Sequence, residues 1–271
     1  MKKFIVTGSM RSGTTFTASV LNSQPMTFCV EDYPWGVFPK KFKTQEEFLL
    51  FSSSLDAKFI YLGLPEPRLA ENATFNDDLV DLYISHLKKI YECENVGFKR
   101  TMMTKSEMLE RIKDGYKIII IKRDAGKILK SWVSRINPNI HDAAERLQHF
   151  LKEINYYQPR IPSDQYSVID FDEMLANFDQ TLLSLSGFLG IKIENPTVRY
   201  HSFNKNRAIF HHNSSFVKNS PNNLMLMGLP RKYKPGTFKK FAAMVESGKY
   251  KPRLKQKILR FMRNIYVKYF T

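Results

Sequence analysis

The 271-residue sequence has only two cysteines and no long apolar run. Cys29 and Cys93 form neither a disulfide framework nor the paired spacing of a zinc site, so we expect a reducing compartment. No stretch approaches the ~20 apolar residues of a membrane span, and the apolar run 4–6 is too short for a signal peptide. These absences predict a cytoplasmic protein that meets a membrane, if at all, only at its surface.

Acidic residues are almost absent from the stretch 231–268, where thirteen Lys and Arg stand against Glu246 alone. This stretch carries +12 of the formal net charge of +16. The overlapping range 253–269 has apolar residues at helical spacing beside cations, which predicts a basic C-terminal helix. Three roles stay open: closing the domain, contacting an anionic membrane surface, or attracting a polyanionic acceptor. Nucleic-acid binding is not favoured, because no recognisable nucleic-acid module accompanies the charge.

What the sequence does have is a regular alternation of short β-rich runs with helical patterns. The predicted strands are 3–7, 27–30, 96–99, 117–122 and 166–169. The predicted helices are 13–22, 77–92, 106–113, 125–135, 143–157 and 172–189, while 203–250 is predicted to form loops with short elements. Unbroken apolar runs such as 118–121 are typical of parallel strands covered on both faces.

This pattern predicts one α/β domain over 1–271, with three α/β/α layers and a mostly parallel five-stranded sheet. The expected topology is like that of P-loop NTPases, with a basic C-terminal helical segment added. Ligands of such sheets bind at the carboxyl ends of the strands, so the residues that directly follow each strand are candidates for the site.

The stretch GSMRSGTT, 8–15, lies between the first predicted strand and the first predicted helix. Its glycines, successive N–H groups and the hydroxyls of Thr14 and Thr15 suit a phosphate or sulfate at a helix N-terminus. The frame G-x-x-x-x-G matches an ATP-binding loop, but Thr14 occupies the position of the loop's lysine. Arg11 supplies a cation from within the loop instead. We therefore expect an anion site that differs from that of an ordinary nucleotidase.

Two further blocks follow this loop along the chain. KIIIIKRDAGKILKSWVSR has an apolar strand, then Arg123, and Ser131 eight residues later. The stretch 166–191 has a strand, an acidic turn and a helical pattern that ends in F-L-G-I. Together with R-S-G-T-T-F, these blocks resemble, in the same order, the PAPS-dependent sulfotransferases, whose donor is 3′-phosphoadenosine 5′-phosphosulfate.

The resemblance implies in-line transfer of a sulfuryl group from PAPS to an acceptor hydroxyl, leaving PAP, without a metal. It implies that the loop binds the 5′-phosphosulfate through Arg11, Ser12, Gly13, Thr14 and Thr15. It also implies that Arg123 and Ser131 bind the 3′-phosphate, which PAPS has and ATP lacks. An arginine fork with a hydroxyl suits that dianion chemically. Arg11 matches a position that is usually lysine in the family.

A general base for the acceptor is expected at the end of a strand. One branch of the family uses a histidine in K-x-H after the middle strand, but VGFKRTMM has Lys99 and no histidine. The other branch uses a glutamate after the second strand. We therefore predict Glu31 as the base, with Asp32 in reserve, and Lys99 as a second cation near the transferred group.

A late loop covers the nucleotide in the family. Here N-S-S-F-V-K predicts Phe216 near the adenine and Lys218 at the 3′-phosphate, although the R-K-G signature is absent and Phe171 replaces a frequent tyrosine. We thus expect 1–200 to be the PAPS-binding core, and 201–271 to be the covering loop and basic helix. The acceptor stays open among small molecules, glycans and lipids. The alternatives are a P-loop kinase with a rearranged cation and a non-catalytic protein that binds a nucleotide or a membrane surface.

Overall fold

Five parallel strands form a single sheet at the centre of the protein. The computed structural model describes residues 2–30, 42, 44–61, 68–74, 79–136, 139–194 and 233–251. The strands are β1 (Lys3–Gly8), β2 (Thr27–Val30), β3 (Asn95–Lys99), β4 (Tyr116–Lys122) and β5 (Tyr166–Asp170). Their order is β2-β3-β1-β4-β5, and every neighbouring pair is parallel. The strands predicted from sequence are confirmed to within one residue at each end.

Helices connect and cover these strands. They are α1 (Thr14–Asn22), α2 (Gln45–Tyr61), α3 (Leu69–Asn72), α4 (Leu79–Tyr91), α5 (Lys105–Lys113), α6 (Ala125–Arg135), α7 (Ile140–Tyr157), α8 (Phe171–Ala176), α9 (Phe178–Leu189) and α10 (Pro235–Glu246). A short 3-10 helix, Gln158–Arg160, follows α7. Among these helices of the described residues, none combines the length and apolar character needed to cross a bilayer.

One predicted helix was wrong, and α2, α3 and α10 were not predicted as helices. The single helix expected over 172–189 is two helices, because Asn177 leaves the helical backbone at φ −125° and ψ 56°. The region 203–250, predicted as loops with short elements, contains the 12-residue helix α10, which has Pro235 in its first turn. A proline is favourable there, because its missing N–H has no helical acceptor and its φ is already fixed near the helical value.

The core confirms the three-layer α/β/α fold. Phe4 and Val6 of β1 pack with residues of α1 and α9 on one face of the sheet. Ile5, between them, packs with residues of α4, α5 and α7 on the other face. Side chains along a strand alternate between faces, so β1 contributes to both apolar layers. The sheet is therefore buried on both sides, as its unbroken apolar runs predict.

A third cluster joins α6, α7 and α10 beside the loop that follows β1. Trp132 and Val245 are buried there, and Met10 of the loop packs against the same cluster. The Gln148 amide pairs with the backbone of Tyr250, accepting from its N–H at 2.9 Å and donating to its carbonyl at 3.1 Å. Tyr250, four residues after α10, is thus held on α7.

Candidate active site

The loop between β1 and α1 has a backbone shape that depends on glycine. Gly13 caps α1 at φ 109°, and a Cβ there would lie 2.2 Å from a ring carbon of Phe171. Arg11 also has a left-handed backbone, at φ 71°. Ser12 is buried, and its N–H and its hydroxyl both donate to the Ser9 carbonyl, at 3.2 and 2.8 Å. The hydroxyl of Ser12 therefore stabilises the loop itself.

The N-terminus of α1 is prepared for an anion. No side chain of the described residues caps it, and its first turn has no acidic residue, so neither competes with an anion for its first N–H groups. The partial positive charge of the helix end is concentrated at Thr14 and Thr15. Thr14 is buried, whereas Thr15 is exposed. This arrangement suits a phosphate or sulfate group.

Lys99 is a buried cation at the end of β3, with 3% of its surface exposed. Its Nζ donates to Thr15 Oγ1 at 3.0 Å. The chain beyond Lys99 continues beside β1, since the Arg100 N–H donates to the Val6 carbonyl at 2.9 Å and the Met102 N–H donates to the Gly8 carbonyl at 2.8 Å. The structure therefore brings Lys99 to the start of α1, beside the anion-binding end.

Arg123 and Ser131 also meet the loop. Arg123 directly follows β4, and its Nη1 donates to the Arg11 carbonyl at 3.2 Å. Arg11 in turn donates from its Nε to Ser131 Oγ, on α6, at 3.1 Å. The two blocks of sequence that were predicted to hold opposite ends of the donor are thus joined by direct hydrogen bonds.

Two residues at the start of α8 flank Arg123, and sequence reasoning assigned neither to it. The guanidinium carbon of Arg123 lies 5.0 Å from the centre of the Phe171 ring. Asp172 Oδ1 lies 3.6 Å from Arg123 Nε and 3.0 Å from Lys127 Nζ. The available signal was the acidic turn after β5, because the carboxyl ends of neighbouring parallel strands lie at one edge of the sheet.

Several predicted site residues lie outside the described residues. They are Glu31, Asp32, Phe216 and Lys218, together with the basic stretch 253–269. The described part of the chain brings together the remaining candidates: the loop residues, Lys99, Arg123 and Ser131.

The carboxylate of Asp170, at the end of β5, caps the helix that follows it. Its Oδ1 accepts from the N–H groups of Asp172 and Glu173, at 2.9 and 3.0 Å, and so caps α8. A magnesium-binding aspartate of a kinase also ends an apolar strand, and Asp170 is the candidate for that role that the sequence presents. Within the described ranges, no group of three or more His, Cys, Asp or Glu residues could hold a metal ion.

Comparison with known proteins identifies the family and the fold. A model of the sulfotransferase family matches residues 4–195, which include the loop, Lys99, Arg123 and Ser131. The structure is similar to the sulfotransferase domain of the olefin synthase from Synechococcus PCC 7002, with a TM-score of 0.57, 16% identity, and 93% and 95% of the two chains covered. It is also similar to a sulfotransferase domain from the curacin biosynthetic pathway, with a TM-score of 0.53, 14% identity, and 91% and 98% covered. Curated protein sequences gave no match.

The two structural similarities confirm the fold, and the family match confirms the resemblance that three blocks of sequence carried. With the family, the expected class of enzyme, a transferase that uses PAPS, is confirmed as well. Because the match extends from β1 past α9, over more than half of the sequence, the chain belongs to the sulfotransferase family.

Proposed function

We propose that this protein moves the sulfuryl group of PAPS to a hydroxyl of a small-molecule, glycan or lipid acceptor, and releases PAP. The observation that carries the proposal is the pair of hydrogen bonds that joins the loop to Arg123 and Ser131. Arg11 Nε donates to Ser131 Oγ at 3.1 Å, and Arg123 Nη1 donates to the Arg11 carbonyl at 3.2 Å. One compact set of groups thus suits both anionic ends of a single nucleotide.

The two ends of the donor have different chemistry. The 5′-phosphosulfate would lie at the N-terminus of α1, against the N–H groups of Gly13, Thr14 and Thr15. The 3′-phosphate would accept from Arg123 and Ser131. Charge-assisted hydrogen bonds of this kind are roughly twice as strong as neutral ones, so the 3′-phosphate distinguishes PAPS from ATP.

The transfer step needs positioning and charge stabilisation more than covalent help from the protein, as in phosphoryl transfer. The acceptor oxygen forms a bond to sulfur while the bond from sulfur to the 5′-phosphate oxygen breaks. Negative charge then grows on the leaving phosphate. Arg11, within the loop, and Lys99, buried beside Thr15, supply the two cations that stabilise it.

Glu31 is the proposed base for the acceptor proton, with Asp32 in reserve. β2 ends at Val30, and Glu31 is the next residue in the chain. Val30 pairs with Phe98, the residue before Lys99. The carboxylate therefore follows the strand that neighbours the buried cation, as a base close to the transferred group requires.

The C-terminal part of the sequence would cover the bound nucleotide and carry a second binding surface. Phe216 and Lys218 would cover the adenine and the 3′-phosphate, within a 201–271 segment that completes a single domain. The stretch 231–268 would draw in a polyanionic acceptor or meet an anionic membrane surface from the cytoplasmic side. Its charge of +12 supports either role.

The proposal is tested by incubating the protein with labelled PAPS and three panels of acceptors, which are small alcohols and phenols, glycans, and lipids, in the presence of a chelator. We expect label to appear in one panel.

Glu31→Gln should bind PAP like the parent protein but turn over about 10²-fold more slowly or worse. Asp32→Asn is the matched control and should keep most of the activity. Full turnover by Glu31→Gln would remove it as the base, and PAP binding with no labelled acceptor would favour a binding protein.

A further inference from the structure

Lys127 and Arg123 share one carboxylate oxygen beside the loop. Asp172 Oδ1 lies 3.0 Å from Lys127 Nζ and 3.6 Å from Arg123 Nε. The three side chains are partly exposed, at 55% for Lys127, 31% for Asp172 and 24% for Arg123. Two cations are therefore held close together at a surface that a soluble ligand can reach.

Lys127 lies on the same side of α6 as Ser131, one of the two residues proposed to bind the 3′-phosphate. Residues four apart on a helix are neighbours on its surface, so Lys127 and Ser131 share one face. Ser131 holds Arg11 through its hydroxyl. Arg123, four residues before Lys127, lies two positions before the first residue of the helix and contacts the same loop. Arg123, Lys127 and Ser131 thus form one line beside the loop.

The donor edge of Arg123 is fixed by its neighbours. Phe171 lies against the guanidinium at 5.0 Å, and the Arg11 carbonyl accepts from Nη1. Its Nε is buried without a hydrogen-bond acceptor within the described residues, with Asp172 as the nearest carboxylate. The guanidinium is thereby oriented before a ligand arrives, which lowers the entropy lost on binding.

Resting on the proposed PAPS donor, we propose that Lys127 is a second cation for the 3′-phosphate and that Asp172 positions it beside Arg123. Two like charges repel when nothing lies between them. The shared carboxylate offsets that repulsion and keeps both cations on one side of α6. A 3′-phosphate dianion that reaches Arg123 and Ser131 then meets the ammonium group of Lys127 as a further charged donor.

The test compares the affinities of PAP and of adenosine 5′-phosphate, which differ only in the 3′-phosphate. The parent protein should bind PAP more tightly, and Lys127→Gln should lower that preference about tenfold, as the loss of one charge-assisted contact implies. Lys127→Arg should retain most of it. Lys130→Gln is the matched control, because Lys130 is an exposed lysine on the same helix, and it should leave the preference unchanged.

Asp172 is tested by its coupling to Lys127. In an Asp172→Asn background, Lys127→Gln should change the preference less than about twofold, because the carboxylate no longer holds the ammonium in place. A surface ion pair without a role in binding would alter stability slightly and leave the preference for PAP intact. The inference is therefore overturned if Lys127→Gln keeps the parent's preference for PAP. If Arg123→Ala still lowers that preference in the same experiment, the PAPS proposal itself stands. If the parent protein itself binds both nucleotides equally, the PAPS proposal falls, and this inference falls with it.

Discussion

Arg11 and Ser131 are 120 positions apart in the chain, yet Arg11 Nε donates a hydrogen bond to Ser131 Oγ at 3.1 Å. The loop after β1 and the second turn of α6 are therefore in direct contact. Arg11 achieves this from a left-handed backbone at φ 71°, which is uncommon for a residue with a side chain and is often found at functional sites. A nucleotide that bridges the loop and α6 would meet both groups as one set.

Substitutions of Arg11 and Ser131 should impair different steps, turnover for Arg11 and PAP binding for Ser131. Arg11→Ala should lower turnover about 10²–10³-fold, because a group that stabilises developing charge is removed. Ser131→Ala should instead weaken PAP binding about 10–100-fold, as the loss of one hydrogen bond to a charged group implies, and should largely keep the turnover of bound donor. Steady-state kinetics and PAP titration separate the two effects.

The control for that pair is Ser134→Ala, since Ser134 is an exposed serine of the same helix. It should behave like the parent protein. Unchanged turnover in Arg11→Ala would contradict the role given to the loop cation.

Gly13 should be irreplaceable for stability as well as for binding. A Cβ at Gly13 would lie 2.2 Å from the Phe171 ring, and the backbone there has φ 109°. Gly13→Ala should therefore lower the free energy of unfolding by about 2–4 kcal/mol, measured by urea denaturation.

Gly187→Ala provides the opposite case. Gly187 is in α9, and beyond its chain neighbours and its own helix backbone no atom of the described residues lies within 4 Å of the position its Cβ would take. Alanine should stabilise that helix by about 0.5–1 kcal/mol. An unfolding midpoint of Gly13→Ala equal to that of the parent would show that the loop can relax around the added methyl group.

Replacing Thr7 by valine should stabilise the protein. Its hydroxyl is fully buried near the end of β1, and no described residue offers it a hydrogen bond. Thr7→Val should raise the free energy of unfolding by about 1 kcal/mol, because a buried hydroxyl without a partner is unfavourable.

Thr17→Val is the matched substitution with the opposite sign. The Thr17 hydroxyl is also buried, but it donates to the Gly13 carbonyl at 3.3 Å. Its loss should lower the free energy of unfolding by roughly 1 kcal/mol. If Thr7→Val destabilises the protein as much as Thr17→Val, the hydroxyl of Thr7 has a partner after all.

Tyr250 predicts how stability changes in alkaline solution. Burial raises the pKa of the Tyr250 phenol to about 12, and Glu145 and Asp142 act in the same direction. An unfolded tyrosine titrates near pH 10, so between about pH 10 and 12 the unfolded chain has lost this proton while the folded chain retains it. The free energy of unfolding should therefore fall as the pH rises through that window.

Tyr250→Phe removes this contribution, so its stability should fall less steeply over the same window. At neutral pH the variant should be less stable than the parent, because the phenol hydroxyl lies 2.9 Å from His141 Nδ1 and also donates to the His141 carbonyl at 3.3 Å. Equal slopes for the two proteins in melting temperature against pH would refute the assignment.

Much of the fold could be predicted from sequence because the sheet is buried on both faces. A run such as 118–121 has to be apolar throughout, and it is easily recognised. α2 was missed because its buried face is partly polar. Among the α2 residues whose side chains the structure describes, the buried ones are Phe48, Ser52 and Asp56, four positions apart. The Asp56 carboxylate accepts from two N–H groups of α3. Apolar periodicity cannot reveal such a helix.

The candidate site was predictable where a single residue type has a strict chemical or steric role. A glycine at Gly13 and an arginine directly after β4 are such cases. The acidic turn after β5 indicates that Phe171 and Asp172 lie at the same edge of the sheet as Arg123. Their contacts with Arg123 could not be predicted, because these depend on where β5 and β4 end relative to one another. α10 had a usable signal in Pro235 followed by apolar residues at helical spacing, but Gly236 beside that proline also suggests a turn.

The most direct measurement of the central claim is calorimetric titration of PAP, with a chelator present, into the parent protein and into Arg123→Ala. We expect metal-free binding of PAP by the parent protein, weakened about 10–100-fold in Arg123→Ala, as the loss of a charged hydrogen-bonding partner implies. Arg160→Ala, which changes an exposed arginine of the 3-10 helix, should bind PAP like the parent. Tighter binding of ATP with magnesium than of PAP, or undiminished PAP binding by Arg123→Ala, would contradict a site built for a donor with a 3′-phosphate.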